Sequence, residues 1–391
     1  MKNQSMPSLR VVTCAATLLA TLSGARAADL PSLTKAPPPS PAASPVWAEV
    51  DYLAWSVKGD SLPALVTTGP VGSAGVLGAA GTSVLFGNST VNDDWRSGGR
   101  LTVGTWLDLG RSRGLEASFF GLEDASTGFA ASSGGTPLLA RPFFDPTLPG
   151  QTSSLIASPG LLSGSVTVNE TSRLLGAGAL YRQDVGSFGG ERISALIGYR
   201  YLRSSDRLGI SSQSTVLGGG VIPVGTAIGI TDQFEATSNF HGVDLGLTGE
   251  FTHGPWSFDW RAKVALGANI NSAQINGSTA VTLPGGAPVV SSGGLLALSS
   301  NIGSYSQTRF AAVPEISLKA GYQLTPQWRL VAGYDVLYWT GVQRAGGLID
   351  TTVNPNLVPP AVGGGPNRPQ PVFNTSALWA QGFSLGARYG F

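Results

Sequence analysis

The chain has 391 residues, only 12% of them charged, with a formal net charge of +1. So even a balance supplies no field to draw in nucleic acid or an acidic substrate, and 42% hydrophobic content excludes a disordered chain. A single cysteine and two histidines leave little for thiolate ligation or imidazole chemistry, so no cofactor and no metal site are expected.

The first element in chain order reads as a removable export signal. Lys2 and Arg10 give it a basic start, and Val11 to Leu22 an apolar run shorter than the ~20 residues a membrane-spanning helix needs. Ala25-Arg26-Ala27 is a small-x-small cleavage site, with the cut expected between Ala27 and Ala28. Cys14 falls inside this signal, so the mature chain is read as having no thiol and no disulfide. Apolar residues follow Val12-Thr13-Cys14, which makes it a poor lipidation site. Residues 28–45 carry Pro31, Pro37, Pro38, Pro39, Pro41 and Pro45. Such a run cannot join a strand ladder and reads as an extended periplasmic linker before a barrel at 46–391.

From there on the recurring signal is a period of two. In its clearest instance Trp256, Phe258, Trp260, Ala262, Val264 and Leu266 alternate with Ser257, Asp259, Arg261, Lys263 and Gly267. Related alternation occupies 46–57, 98–108, 113–123, 172–184, 190–203, the stretch before Thr252, 309–322, 328–338 and 376–391. The fold class expected is all-β: a transmembrane antiparallel up-and-down β-barrel of about ten strands, with about twelve as the upper alternative. Short connections at Leu109–Ser112, Val185–Gly189, Thr252–Pro255 and Gln323–Pro326 alternate with long ones near 58–97, 124–171, 204–236, 272–304 and 342–375. Short periplasmic turns and long extracellular loops produce that alternation, and an even strand count puts both termini on the periplasmic side. Trp256, Trp328, Tyr181, Tyr322, Phe251 and Tyr389 gather at the short-turn ends, while Tyr338, Trp379, Phe240 and Trp95 gather at the long-loop ends. Two aromatic belts at the headgroups are expected from this sorting.

The last strand resembles the C-terminal assembly signal of outer-membrane barrels, with Phe383, Leu385, Ala387, Tyr389 and terminal Phe391 at every second position. The runs WAEVDYLAWSVKGDSLPALVTTGP (47–70), GVLGAAGTSVLFG (75–87), GGRLTVGTWLD (98–108), GLEASFF (114–120) and ARPFFD (140–145) narrow the resemblance. So do SNIGSY (300–305), RFAAVPE (309–315), GYQLTPQWRLVAGYDVLYW (321–339) and WAQGFSLG (379–386). Together, over nearly the whole mature chain, they are similar to the β-barrel porin family numbered seven. The resemblance implies an integral protein in the outer membrane of a Gram-negative bacterium. It also implies lipid and the barrel-assembly machinery as partners, and carries no solute or catalytic residue with it.

The positions expected to face the lumen hold bases at Arg100, Arg182, Arg192, Arg200, Arg261, Lys263, Arg309, Lys319 and Arg329. The acids are Glu49, Asp51, Glu116, Asp244, Glu250, Asp259, Glu315 and Asp335. A selectivity filter usually shows a ring of one sign, so these balanced sets read as pairs that fill the interior. About ten strands also lie near the filled end of the barrel-size range. A narrow porin or a structural membrane protein is the first reading. A scaffold displaying long loops to a partner is the alternative, and oligomerisation is left open. A hydrolase would need a base, and the two histidines offer little. His253 lies in a short turn, while His241 has Asp232, Asp244 and Ser238 nearby in sequence but no accompanying catalytic motif. The chain is therefore read as not an enzyme. The apolar, Gly-rich segment Ala74–Gly87 is the candidate for a loop folded into the lumen.

Overall fold

The computed structural model describes residues 45–188 and 191–391. The expected export signal, its cleavage site at Ala27–Ala28 and the expected Pro-rich linker through residue 44 lie outside the described residues, as do residues 189–190. Ten strands form one ring: β1 (Val46–Val57), β2 (Trp95–Trp106), β3 (Arg113–Leu122), β4 (Leu162–Phe188) and β5 (Glu191–Val216), followed by β6 (Ala227–His253), β7 (Trp256–Thr282), β8 (Gly303–Gln323), β9 (Trp328–Gln343) and β10 (Thr375–Gly390). Each is antiparallel to its sequence neighbour, and β10 returns to β1 with Trp47 opposite Gly390 and Val57 opposite Ala380. The chain is a closed antiparallel β-barrel, and closure leaves no unpaired edge to face lipid.

Why these residues span a membrane is visible on the outer face. Val243, Leu245, Leu247 and Phe251 on β6 and Phe258, Leu266 and Ile270 on β7 all point outward and are exposed. Their inward neighbours are Asp244, Lys263 and Ala265, all buried. The turns closing this end are tight. His253 pairs directly with Trp256, and Gly254, at φ +57°, supplies the left-handed residue that a two-residue hairpin requires. Trp256 packs on Tyr322 and Trp328 on Tyr389, each pair with ring centroids 4.9 Å apart, forming an aromatic belt at the turn end.

The strand count agrees with the sequence reading, but the strand lengths do not. β4, β6 and β7 run for 27 residues each, against the ~9–11 that a tilted strand needs to cross the bilayer. Much of what alternation assigned to loops at 204–236 and 272–304 is therefore strand, and the third connection shrinks to 217–226. The cause is a polarity inversion. Above the lipid band the outward residues become Arg203, Ser205, Gln213, Thr231 and Gln233, while the inward ones become Leu208, Ile210, Phe234 and Ile275. An alternation that keeps its period but reverses its sign loses its membrane signature.

The first, second, fourth and fifth connections pack into the mouth of this extended wall. Leu62, Leu65, Val66, Leu139, Leu295 to Leu298, Leu348 and Val353 form one buried core with the wall residues just named. Ala74–Gly87 does not fill the lumen as a loop. Its residues 83–86 form one strand of a small four-stranded sheet with 66–68, 139–145 and 150–157, its side chains are mostly half-buried or exposed, and Phe86 packs against the buried core. Opposite the tall wall, β8 and β9 stay paired only from Gln323–Arg329 up to Glu315–Leu337. Above that β9 bends inward at a bulge between Trp339 and Val342, and Thr340 Oγ1 accepts the Ala312 amide across the split at 2.9 Å.

Candidate functional site

The lumen is filled in four successive layers. At the turn end β1, β2, β8, β9 and β10 point charges at one another. Arg100 Nε donates to Asp51 at 2.8 Å and its Nη1 reaches Asp335 at 3.2 Å. Lys319 reaches Asp51 at 3.1 Å and also pairs with Glu49, which accepts from Arg388 Nε at 2.8 Å. Other pairs cross the ring: Arg261 of β7 donates to Glu116 of β3 at 2.5 and 2.9 Å, and Arg200 of β5 to Glu315 of β8 at 2.6 Å. Lys263 lies between Asp244 at 2.9 Å and Glu315 at 3.5 Å. Arg329 pairs with Glu250 at 3.2 Å, and Asp259 faces Glu250 from the next strand. Arg182 stacks over Trp106 at 5.0 Å and donates to Ser194. A buried acid or base is costly alone in a low-dielectric interior, and the ion pairs named here offset that cost. Asp259 and Arg182 have no ion-pair partner among the described residues, and Arg182 rests on Ser194 and the Trp106 ring.

Two of the anticipated lumen charges stand outside this network. Arg192 lies exposed at the rim, where its guanidinium donates to the Gly110 and Arg111 carbonyls of the first turn. Arg309 is exposed beside the β8–β9 split and makes no ion pair among the described residues. Arg388, by contrast, was hidden in sequence inside the terminal aromatic row. It points inward from between Ala387 and Tyr389 and lies 4.3 Å over the Trp47 ring.

Above the charges comes an apolar layer of Leu53, Trp55, Phe120, Leu202, Phe240, Val313 and Trp339, all buried. Phe240 belongs here, edge-on to Trp339 at 6.3 Å, and not to the outer aromatic belt where sequence sorting placed it. Next is a polar layer locked by the end of β9 and the start of the fifth connection. Gly341 O accepts from Asn269 and Asn271 at 2.7 and 2.9 Å, Gln343 N donates to Ser238 at 2.9 Å, and Arg344 pairs with Asp206. Arg344 Nη1 also donates to Lys58 O at 2.9 Å, and Asp60 accepts the Gly346 amide at 2.7 Å. The fourth layer is the loop-built apolar core. Asp232 of β6 anchors it: one oxygen accepts the amides of Leu295, Leu296 and Ala297 at 2.8–3.0 Å, and the other accepts from Arg141 at 2.6 Å.

Nothing in these layers assembles a catalytic set around His241. Its ring lies on the outer face, with Nδ1 2.6 Å from the Tyr199 hydroxyl. Asp232, Ser238 and Asp244 are buried on the inner face of the same strand. Alternation therefore puts the base and its supposed partners on opposite sides of the wall. His253 sits exposed at the β6–β7 turn. No group of histidine, cysteine and carboxylate side chains suited to a metal occurs among the described residues.

Among solved structures, the outer-membrane protease OmpT of Escherichia coli is 13% identical, with 88% of this chain and 96% of that one covered at a TM-score of 0.38. An anion-selective porin from Comamonas acidovorans is 11% identical, covering 88% and 98% at a TM-score of 0.16. The P. putida toluene transporter TodX is 8% identical, covering 88% and 90% at 0.15. Likeness that slight carries neither activity nor solute to this chain. No curated protein matches it. The family model described as "Putative beta barrel porin-7" matches residues 47–391, the entire ring and its connections, and this outer-membrane β-barrel belongs to that family.

Proposed function

We propose that this protein works as a sealed outer-membrane barrel whose tall wall and packed loops present a rigid extracellular platform, and not as a standing diffusion channel. The observation that carries the reading is the filled lumen: ion pairs reach across the ring at the turn end, and loop residues pack into its mouth. A pore lined for solute passage keeps water and a consistent field along its length. Here each charge layer is paired and is followed by a layer of buried apolar side chains. The projection of β4–β7 beyond the lipid band gives the loops a stiff support of a kind a partner surface needs. The split wall face of His241 and its neighbouring acids supports a non-enzymatic role.

The same proposal takes the protein to the membrane through the signal cut at Ala27–Ala28. It also has the assembly machinery read the lipid-facing row Phe383, Leu385, Ala387, Tyr389 and Phe391. A gated porin is the second reading, favoured by the buried Arg344–Asp206 pair, which ties the fifth connection to the wall at β5. Planar-bilayer recording of the refolded protein tests the pair. The intact barrel is expected to show no discrete channel, and steady unitary conductance would overturn the sealed reading. Conductance that emerges only in Arg344→Ala would move the assignment to the gated one.

A further inference from the structure

A cavity of about 450 Å³ is cut into the outer face of the tall wall, lined chiefly by Asp124, Arg173, Arg203, Ser205, Arg207 and Glu235. Strand register assembles it. Leu175, Arg173 and Thr171 on β4 face Arg203, Ser205 and Arg207 on β5, which in turn face Asn239, Thr237 and Glu235 on β6. Two of the guanidiniums are held by carboxylates: Arg173 Nε donates to Asp124 at 2.8 Å, and Arg207 Nε to Glu235 at 2.8 Å. Arg203 is exposed and has no carboxylate partner among the described residues.

The height of the cavity gives this arrangement its meaning. Directly beneath Arg203, Tyr201 packs 5.1 Å from the His241 ring and donates to Asn239 at 3.0 Å, while Tyr199 bonds His241. Tyrosines facing outward at the top of an apolar band mark the headgroup region. The charges of this wall gather at that level and nowhere higher. Further up, the outward positions of β5 and β6 carry Ser211, Gln213, Thr231 and Gln233, all neutral. Exposed ion pairs add little stability, so fold stability gives no reason for three arginines to line one cavity. Guanidinium forks do match phosphate oxygens, and two of these are already oriented.

We propose that this cavity binds the phosphate of an outer-leaflet lipid headgroup. Arg203 makes the first contact, Arg173 and Arg207 flank it, Ser205 and Thr237 offer hydroxyls, and the acyl chains run down past Leu175 and Tyr201. The inference needs the barrel's place in the bilayer but is independent of whether the lumen opens.

Calorimetric titration of the full chain, refolded in neutral maltoside micelles, with dihexanoyl phosphatidic acid tests it. Saturable binding is expected, weakened about tenfold in Arg203→Gln through loss of one charge-assisted contact. Arg203 is exposed, so the variant should keep the parent's melting temperature; that measurement confirms folding. Undiminished binding by Arg203→Gln would overturn the proposal. So would equal binding of dihexanoyl glycerol, which lacks the phosphate. Inorganic phosphate binding as tightly as the lipid would overturn the headgroup assignment in favour of a free-anion site.

Discussion

Asp232 holds more of the loop cap than any other wall residue described above. Its side chain is buried, and its two oxygens bind two different connections at once: three amides of 295–297 and the buried guanidinium of Arg141. Asp232→Asn keeps the shape but turns one acceptor into a donor and strands a buried cation. Breaking a buried pair in this way costs about 3–5 kcal/mol. The variant is expected to melt lower and to be cut by protease within 283–302 while its barrel strands stay intact. Equal resistance in the two proteins would show that the anchor is redundant. In sequence Asp232 was legible only as a neighbour of His241, because the stretch containing it read as a loop and gave no side-chain direction. The charges of the membrane layer were easier to find, since the apolar residues flanking each one fixed its direction. Arg388 escaped because its flanking residues were absorbed into the terminal aromatic row.

At the scale of elements, the first and fifth connections meet β4 and β5 in a cluster rich in acid. Burial raises the Asp60 carboxyl to about 6, against the pull of Arg344. Glu170, in the part of β4 above the lipid band, is pushed to about 8 by burial and by the charges of Asp206 and Asp60. Both titrate at about 4 in an unfolded chain, so the folded form binds protons more tightly. The resulting stabilisation is complete below pH ~4 and is lost as pH rises through about 6 and then about 8. Hydrogen exchange at 344–350 should therefore speed up between about pH 4 and pH 8, beyond the intrinsic pH dependence of exchange. Glu170→Gln should flatten the upper part of that rise; an unchanged profile in the variant would place the titration elsewhere. The same elements show where sequence reading stops. Turn chemistry such as Gly254-Pro255 located the short connections closely, because it is written in local residues. The extended tops of β4–β7 were missed because their inward face turns apolar only where the solvent outside turns from lipid to water.

The whole molecule is thus two stacked tiers of opposite polarity: a closed ten-stranded ring below, and above it the prolonged wall of β4–β7 closed by packed connections. The lower is charged within and apolar without, while the upper is apolar within and polar without, like a water-soluble protein. Lipid is needed to satisfy only the lower one. In detergent, amides of Leu208, Ile210, Phe234 and Ile275 are expected to exchange as slowly as those of Leu196 and Leu245, while 217–226 exchanges quickly. Loop-like rates at the first four would mean that the upper tier has no cooperative core of its own.

The contacts of Lys58 carry one more consequence. Its amide and its ammonium donate to the Trp379 and Ala377 carbonyls of β10, each at 2.9 Å, and its own carbonyl accepts from Arg344. At the opposite end of the junction Phe391 N donates to Val46 O at 3.0 Å. The meeting line of the first and last strands is therefore sutured above and below, and the upper stitches draw on residues from both ends of the chain. The lid can take its final form only once the ring has closed.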